Sequence, residues 1–293
     1  MTRAPFAFVP FGQDAAEGDV CCDGLVDGAT LHLSHWPGND TPAEWKRDTS
    51  VEIALAYGRS GEPVARVINN HFDTDGVLAV FGLLEPEVAE AHADLLIAAA
   101  EVGDFGDWPR SPRAFWLDAA IARIAGDRTD ATAYAHVLPR LPTLFAELDA
   151  REDLWGDAWR AILTADARAD RDLRVAQVGP VAIFHEVPGA PELPTLLLSK
   201  RAPAGVTRWL RAFEERDGSF HYRYELPPHA WADTVTRPTL RKPSRNAIAA
   251  KVEGTWALKG ELGMVGLLRT REPLRSAPED VAKRLLSGDA TAT

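Results

Sequence analysis

The sequence predicts an α/β protein with an N-terminal sheet lobe and flanking helices, a helical middle and a smaller C-terminal α+β lobe. Three observations carry this. Short apolar β-branched runs, 64–68 above all, alternate with stretches of helical periodicity in the N-terminal part. From 111 to about 169 the pattern is mostly helical, punctuated by Pro139 and Pro142. Near Arg171 the texture changes to strand-like runs separated by turn signals. The expected division is 1–170, an α/β metal-site domain with a helical extension, and 171–293, an α+β substrate-binding lobe.

In chain order, residues 1–20 read as an irregular lead-in. Between Val20 and Leu33, Asp23-Gly24 and Asp27-Gly28 are turn signals that predict a strand or hairpin. Thr41 before Pro42 predicts an N-cap, with a helix over 43–57 that ends at Gly58. The 64–68 run is a buried strand, and helices follow over 77–84 and 87–101, the second started by Pro86. In the C-terminal lobe, 173–178 and 181–184 form a hairpin about Gly179-Pro180. The same reading gives a strand at 196–198, a short helix at 206–213 and an alternating strand at 220–225. Last strands within 257–268, a closing helix at 279–286 and fraying from Ser287 complete it.

Bulk properties narrow the function. At 293 residues, with 46% apolar and 26% charged side chains, the chain has enough apolar surface for a sizeable core. A net charge of -11 argues against a grip on long nucleic acid, but not against a nucleotide whose phosphate meets a bound cation. The only cysteines are the adjacent Cys21 and Cys22, which suit neither a disulfide nor a zinc site. No leader-like or membrane-length apolar run is present, so the expected setting is cytoplasmic without a membrane partner.

The chemistry concentrates in His71-Phe-Asp73-Thr-Asp75-Gly76, at a strand-to-helix junction. In an α/β sheet that is the carboxyl edge, where ligands are held. Alternate residues of an extended segment project to one side, so His71, Asp73 and Asp75 converge one nitrogen and two oxygens. Such a set suits manganese, magnesium or iron. The competing reading is an acidic loop that caps the following helix. Asp104, in the loop Gly103-Asp-Phe-Gly-Asp107, is a candidate bridging carboxylate, and His35, in Ser34-His-Trp-Pro-Gly38, a further ligand. His32 would point to the opposite face of a strand, and His92, His136 and His185 lack an acidic partner at ligand spacing. The basic, aromatic-laced stretch containing Tyr222, Arg223, Tyr224, Arg237 and Arg245 is the candidate substrate contact, with arginine forks for phosphate and aromatic faces for a base or sugar.

The segment 71–76 and its small apolar helix resemble the first motif of the DHH phosphoesterase superfamily. That resemblance implies a pair of manganese ions held by His71, Asp73 and Asp75, with Asp104 matching a second-motif aspartate. It also implies hydrolysis of a small phosphate ester, nucleotide or short oligonucleotide. The chain has no Asp-His-His triplet and no C-terminal glycine triplet. The whole chain also resembles an uncharacterised bacterial and plant family with Ser-His-Trp-Pro-Gly and Asn-His-Phe-Asp-Thr-Asp-Gly segments. The stretch 72–78 is similar to the nucleophile motif of haloacid-dehalogenase-like phosphatases, in which Asp73 attacks phosphorus and Asp75 is the general acid. His71-x-Asp73 also matches the opening of a non-haem iron facial triad.

The expectation is therefore a Mn2+- or Mg2+-dependent phosphoesterase in which Asp73 and Asp75 are catalytic. The rival from another class is a non-catalytic binding protein on a phosphoesterase-like fold.

Overall fold

The structure is a computed structural model and describes residues 7–9, 13–251, 256–258 and 268–291. It is mixed α/β and divides into two compact units, Met1–Arg160 with Ala232–Pro238, and Ala161–Trp231 with Thr239–Thr293. The segment Ala232–Pro238 groups with the first unit because its backbone is bonded there: the N–H groups of Val235 and Thr236 donate to the Asp48 carboxylate.

The first unit contains β1 (Ala7–Val9), β2 (Asp19–Cys22), β3 (Leu31–Leu33), α1 (Ser50–Ser60), β4 (Arg66–Ile68) and α2 (Thr74–Leu84). There follow α3 (Pro86–Ala91), α4 (Ala93–Phe105), α5 (Pro112–Ala125), α6 (Ala131–Val137), α7 (Leu141–Glu147) and α8 (Glu152–Asp172), the last of which continues past Arg160. The strands lie in the order β1-β4-β2-β3, and every pair is parallel. This overturns two expectations. Part of the lead-in is a strand, with Phe8 opposite Val67. Also, β2 and β3 are not a hairpin: Val20 pairs with Leu31 and Cys22 with Leu33, both strands running the same way. The Asp-Gly signals belong instead to the connection over 23–30, where Asp23 (φ 55°) and Gly28 (φ 84°) turn the chain back. Parallelism sends the carboxyl ends of β2, β3 and β4 to one edge, and that places the site.

Helix α1 starts at Ser50 rather than 43 because Thr49, not Thr41, is its cap. The Thr49 side chain accepts the Glu52 N–H, and the Glu52 carboxylate accepts the Thr49 N–H at 3.0 Å. The Thr41 hydroxyl instead ties the preceding loop, accepting the Ser34 N–H at 3.0 Å and donating to the Ser34 carbonyl at 2.9 Å. Gly58 is inside the helix, which ends at Gly61 in the left-handed region. Helix α2 is apolar all round, buried from Thr74 to Leu83, and packs against α1 and α4 as the centre of this core. Helix α4 continues past 101 to Phe105 and stops at Gly106 (φ 56°), so Asp104 lies in a helical last turn rather than a loop.

The second unit contains β5 (Leu173–Val178), β6 (Val181–Glu186), α9 (Thr195–Arg201), β7 (Arg208–Glu214) and β8 (Phe220–Glu225). It continues with α10 (Arg245–Ala249), β9 (Trp256–Leu258), β10 (Leu268–Thr270) and α11 (Pro278–Gly288). Its sheet order is β5-β6-β7-β8-β10-β9, and β5 and β6 form the expected hairpin about Gly179 (φ 54°). Two expected elements exchange type. The run 196–198 is helix and 206–213 is strand, because β7 is a central strand whose Arg208 to Ala212 are all buried, leaving no alternation to read. The remaining residues expected in the last strands, 259–267, lie outside the described residues. Helix α11 extends through Ser287 and Gly288, where fraying was expected; the following Asp289 is buried against Arg208, with Nε donating to Oδ2 at 2.7 Å.

Candidate metal centre

The carboxyl edge of the parallel sheet delivers Asp23 directly after β2, His35 after β3, and His71 and Asp73 after β4. Asp75 comes from the first turn of α2 and Asp104 from the last turn of α4. Together they form two groups of potential ligand atoms sharing Asp23: Asp23, His35, Asp75 and Asp104 in one, and Asp23, His71 and Asp73 in the other.

In the first group the His35 Nε2 atom lies 3.2 Å from Asp104 Oδ2, 3.4 Å from Asp23 Oδ1 and 3.6 Å from Asp75 Oδ2. One N–H can be directed well at only one such oxygen, whereas a cation between them can be shared by all four atoms. The other ring nitrogen fixes the tautomer: His35 Nδ1 lies 2.7 Å from the carbonyl oxygen of Asp48, which can only accept. Nε2 of the neutral ring therefore faces three carboxylates with its lone pair. That is how metal-binding histidines are commonly oriented.

The second group repeats this. His71 Nδ1 lies 3.0 Å from Asn70 Oδ1, while the Asn70 amide nitrogen donates to the Leu25 carbonyl at 2.9 Å and so fixes the amide's orientation. His71 Nε2 then lies 3.0 Å from Asp73 Oδ2 and 3.1 Å from Asp23 Oδ2. Despite these distances, Asp23 Oδ2 and His71 Nε2 are buried without a directed hydrogen bond. In the neutral ring such buried lone pairs set against one another are costly, and a positive charge between them, a cation or a proton, relieves the cost.

The titration behaviour agrees. Burial opposes charge on His35, but the Asp104 hydrogen bond and the Asp75, Asp23 and Asp104 charges outweigh it and push the ring up to about 10. Burial likewise opposes charge on His71, and Asp23 and Asp73 reverse it, to about 11. Burial and the Asp73 charge raise Asp104 to about 7; burial with the Asp23 and Asp104 charges drives Asp75 well above the usual carboxylate range. Without a cation the cluster holds extra protons, the state from which metal binding displaces them.

Helix capping accounts for part of the cluster only. Asp73 caps α2 through Oδ1, which accepts the Gly76 N–H at 2.7 Å, leaving Oδ2 for His71. Asp75 caps a different helix: the N–H groups of Ser50 and Val51 at the start of α1 donate to its Oδ2 and Oδ1 at 2.7 and 2.8 Å. Neither role accounts for two histidine Nε2 atoms aimed at carboxylates. The crowding also explains Gly76, where a Cβ would stand 2.8 Å from Asp23 Oδ2 and 2.9 Å from Asn69 Nδ2.

All five ligands expected from sequence, His35, His71, Asp73, Asp75 and Asp104, meet in this cluster. The sixth, Asp23, reads in sequence as a turn residue. Its signal is its place at the end of a buried apolar strand, since Asp-Gly there is as much an edge-of-sheet position as a hairpin turn. Also unforeseen is the outer layer formed by Asp48 and the segment Ala232–Pro238: the Asp233 N–H donates to the His35 carbonyl at 2.7 Å, and the Arg237 guanidinium lies over the Phe105 ring.

The expected substrate contacts fare differently. Tyr222 and Tyr224 are core residues of the second unit, their hydroxyls donating to the Ser276 carbonyl and the Asp289 carboxylate, so neither ring is available to a ligand. Arg223 pairs with Glu192 at 2.6 Å and lies over Phe213 in the same unit. Arg237 is in the first unit, but its guanidinium is engaged by Asp107 at 2.7 Å and by Glu101 and Asp48 at 3.5 Å. The Arg245 side chain lies outside the described residues. Of the other histidines, His32 pairs with Asp40 and His185 with Glu214, both at 2.7 Å.

Among the described residues no helix is long and apolar enough to cross a membrane. No curated protein matches the chain. Residues 4–272 match the model of a family described as a family of unknown function (DUF6687), and the chain belongs to that family.

Proposed function

We propose that the protein is a divalent-metal-dependent phosphoesterase acting on a small phosphate ester, nucleotide or short oligonucleotide, with Mn2+ or Mg2+ as its cofactor. The observation that carries this reading is the pair of histidines, each anchored through Nδ1 and each presenting Nε2 to carboxylates that share Asp23. An all-oxygen-and-imidazole set favours manganese or magnesium over thiolate-seeking metals, and Cys21 and Cys22, buried in apolar clusters, belong to neither group of potential ligands. When bound, such ions supply a hydroxide at neutral pH and stabilise the charge that develops on a phosphoryl group.

The residues have separable roles. Asp23 offers one oxygen to each group and would hold both halves in register. His35, Asp75 and Asp104 form the buried wall. His71 and Asp73, the more exposed ligands, face the side from which a phosphate would approach. The Trp36 indole, 4.9 Å from the His71 ring, is a flat apolar surface beside that side and suits a base or sugar better than a bare phosphate.

Metal content by mass spectrometry, followed by hydrolysis assays on phosphomonoesters, phosphodiesters and nucleotides with added Mn2+, tests the proposal. The expected result is tightly held metal and metal-dependent phosphate release that Asp23→Asn and Asp73→Asn abolish with the circular dichroism spectrum preserved. Full turnover in either variant, or a wild-type protein that binds neither Mn2+ nor Mg2+, would overturn it.

A further inference from the structure

The two halves of the centre are built to different standards. Around His35, the side chains of His35, Asp23 and Asp75 are wholly buried and that of Asp104 is 6% exposed. His35, Asp23 and Asp75 are also held from behind. Asp23 Oδ1 accepts the Ser50 hydroxyl at 2.7 Å, Asp75 accepts two α1 N–H groups, and His35 Nδ1 is bonded to the Asp48 carbonyl. Asp48 is fixed in turn by Val235 and Thr236. Around His71 the side chains of His71 and Asp73 are 23% and 39% exposed, and His71 is steadied by its chain neighbour Asn70. The shared Asp23 is buried, and its Oδ2 points without a directed hydrogen bond into the second half.

We infer that the centre holds two divalent cations of unequal lability: an inner one among His35, Asp75, Asp104 and Asp23 Oδ1 that is retained, and an outer one among His71, Asp73 and Asp23 Oδ2 that exchanges with solvent and is the one open to a phosphate oxygen. The inference rests on the metal-centre reading above and adds the order within it. Four donors with a rigid outer layer leave few open positions on the inner ion, and dissociation there requires buried groups to move. Three donors, two of them reached by water, leave the outer ion with coordination positions for solvent or substrate. The carboxylates also suit this count: Asp23, Asp73, Asp75 and Asp104 as four anions match the charge of two dications.

The test is the time course of Mn2+ release. The full-length protein is loaded with Mn2+, freed of excess by gel filtration and mixed with excess EDTA in rapid-quench mode. Mn2+ remaining on the protein is measured by metal analysis after rapid desalting. Two phases of about equal amplitude are expected, and His71→Ala should delete the fast phase while leaving the slow one. Release in a single phase, binding of one ion only, or loss of the slow phase in His71→Ala would overturn the inference. Two phases in a protein that hydrolyses no phosphate ester would sustain it while removing the phosphoesterase reading. A protein that takes up no Mn2+ would remove both. His71 is at the exposed end of the cluster, so its truncation spares the core, and the wild-type time course alone already decides between one phase and two.

Discussion

Asp48 holds His35 from behind with two different parts of itself. Its carbonyl oxygen accepts the His35 Nδ1–H at 2.7 Å, while its carboxylate accepts the N–H groups of Val235 and Thr236 at 2.7 and 2.8 Å. A segment far along the chain thereby sets the aim of a candidate ligand near the start. Asp48→Ala keeps the carbonyl but releases that segment, so the histidine loses its fixed orientation. The expected outcome is a fall in Mn2+ affinity on the order of ten- to a hundredfold in a chelator competition, with unchanged helix content. Unaltered affinity would show that Ala232–Pro238 is independent of the centre.

Two glycines of α2 should respond in opposite directions to the same change. Alanine is favoured over glycine in a helix interior by roughly 1 kcal/mol. At Gly82 a Cβ would make ordinary contact, 3.7 Å from Ala54 Cβ, so Gly82→Ala is expected to leave Tm unchanged or raise it. At Gly76 the same atom would stand 2.8 Å from Asp23 Oδ2 and 3.0 Å from Asp73 Oδ1. Gly76→Ala should therefore lower Tm and displace bound metal, as read by differential scanning calorimetry with and without Mn2+. Equal behaviour of the two variants would refute the close packing at Gly76.

Asp118 gives a pH signature outside the ligand set. Burial raises its carboxyl to about 6, although the Thr74 hydroxyl, donating to it at 2.5 Å, works the other way. A carboxyl whose folded value exceeds its unfolded one binds its proton more tightly when folded. Its favourable contribution is complete below the unfolded value near 3.8 and fades as pH rises through about 6. Asp118→Asn, which keeps an oxygen for Thr74, should flatten the stability curve across that window and gain on the order of 2 kcal/mol at neutral pH. An unchanged slope between pH 4 and 7 in denaturant titrations would show that Asp118 is already ionised at low pH.

Metal uptake should release protons, because the raised values of His35 and His71 keep both rings protonated without a cation. Calorimetric titration with Mn2+ in two buffers of different ionisation enthalpy measures this directly. The expected result is net proton release and an apparent affinity that rises with pH through the neutral range. Identical heats in both buffers would contradict it.

How much of this was legible in the sequence varies by element. The segment His71 to Asp75 read well because a strand end, three potential ligands and a helix start fall within a few residues. His35 and Asp104 were nameable as candidates, since each sits where an element was expected to end. Asp23 was not, because Asp-Gly signals a turn whether or not the strands it joins are antiparallel. In the second unit, Leu196 to Leu198 and Trp209 to Ala212 are buried runs without periodicity, and helix and strand there were exchanged. Tyr222 and Tyr224 were misplaced for a different reason: sequence shows that they alternate along a strand, but not that the face they share is the inner one.

The parallel order β1-β4-β2-β3 has a kinetic consequence. Asp23, His35 and His71 meet only when β2, β3 and β4 are already side by side, and Asp104 arrives only when α4 has docked. An unfolded chain offers a cation nothing better than the local run from His71 to Asp75. An ion bound by the full set would therefore arrive late and could not template the sheet, so its binding energy is expected to accumulate after the rate-limiting barrier. Such a cofactor would leave the rate of folding nearly untouched and instead lengthen the lifetime of the folded chain.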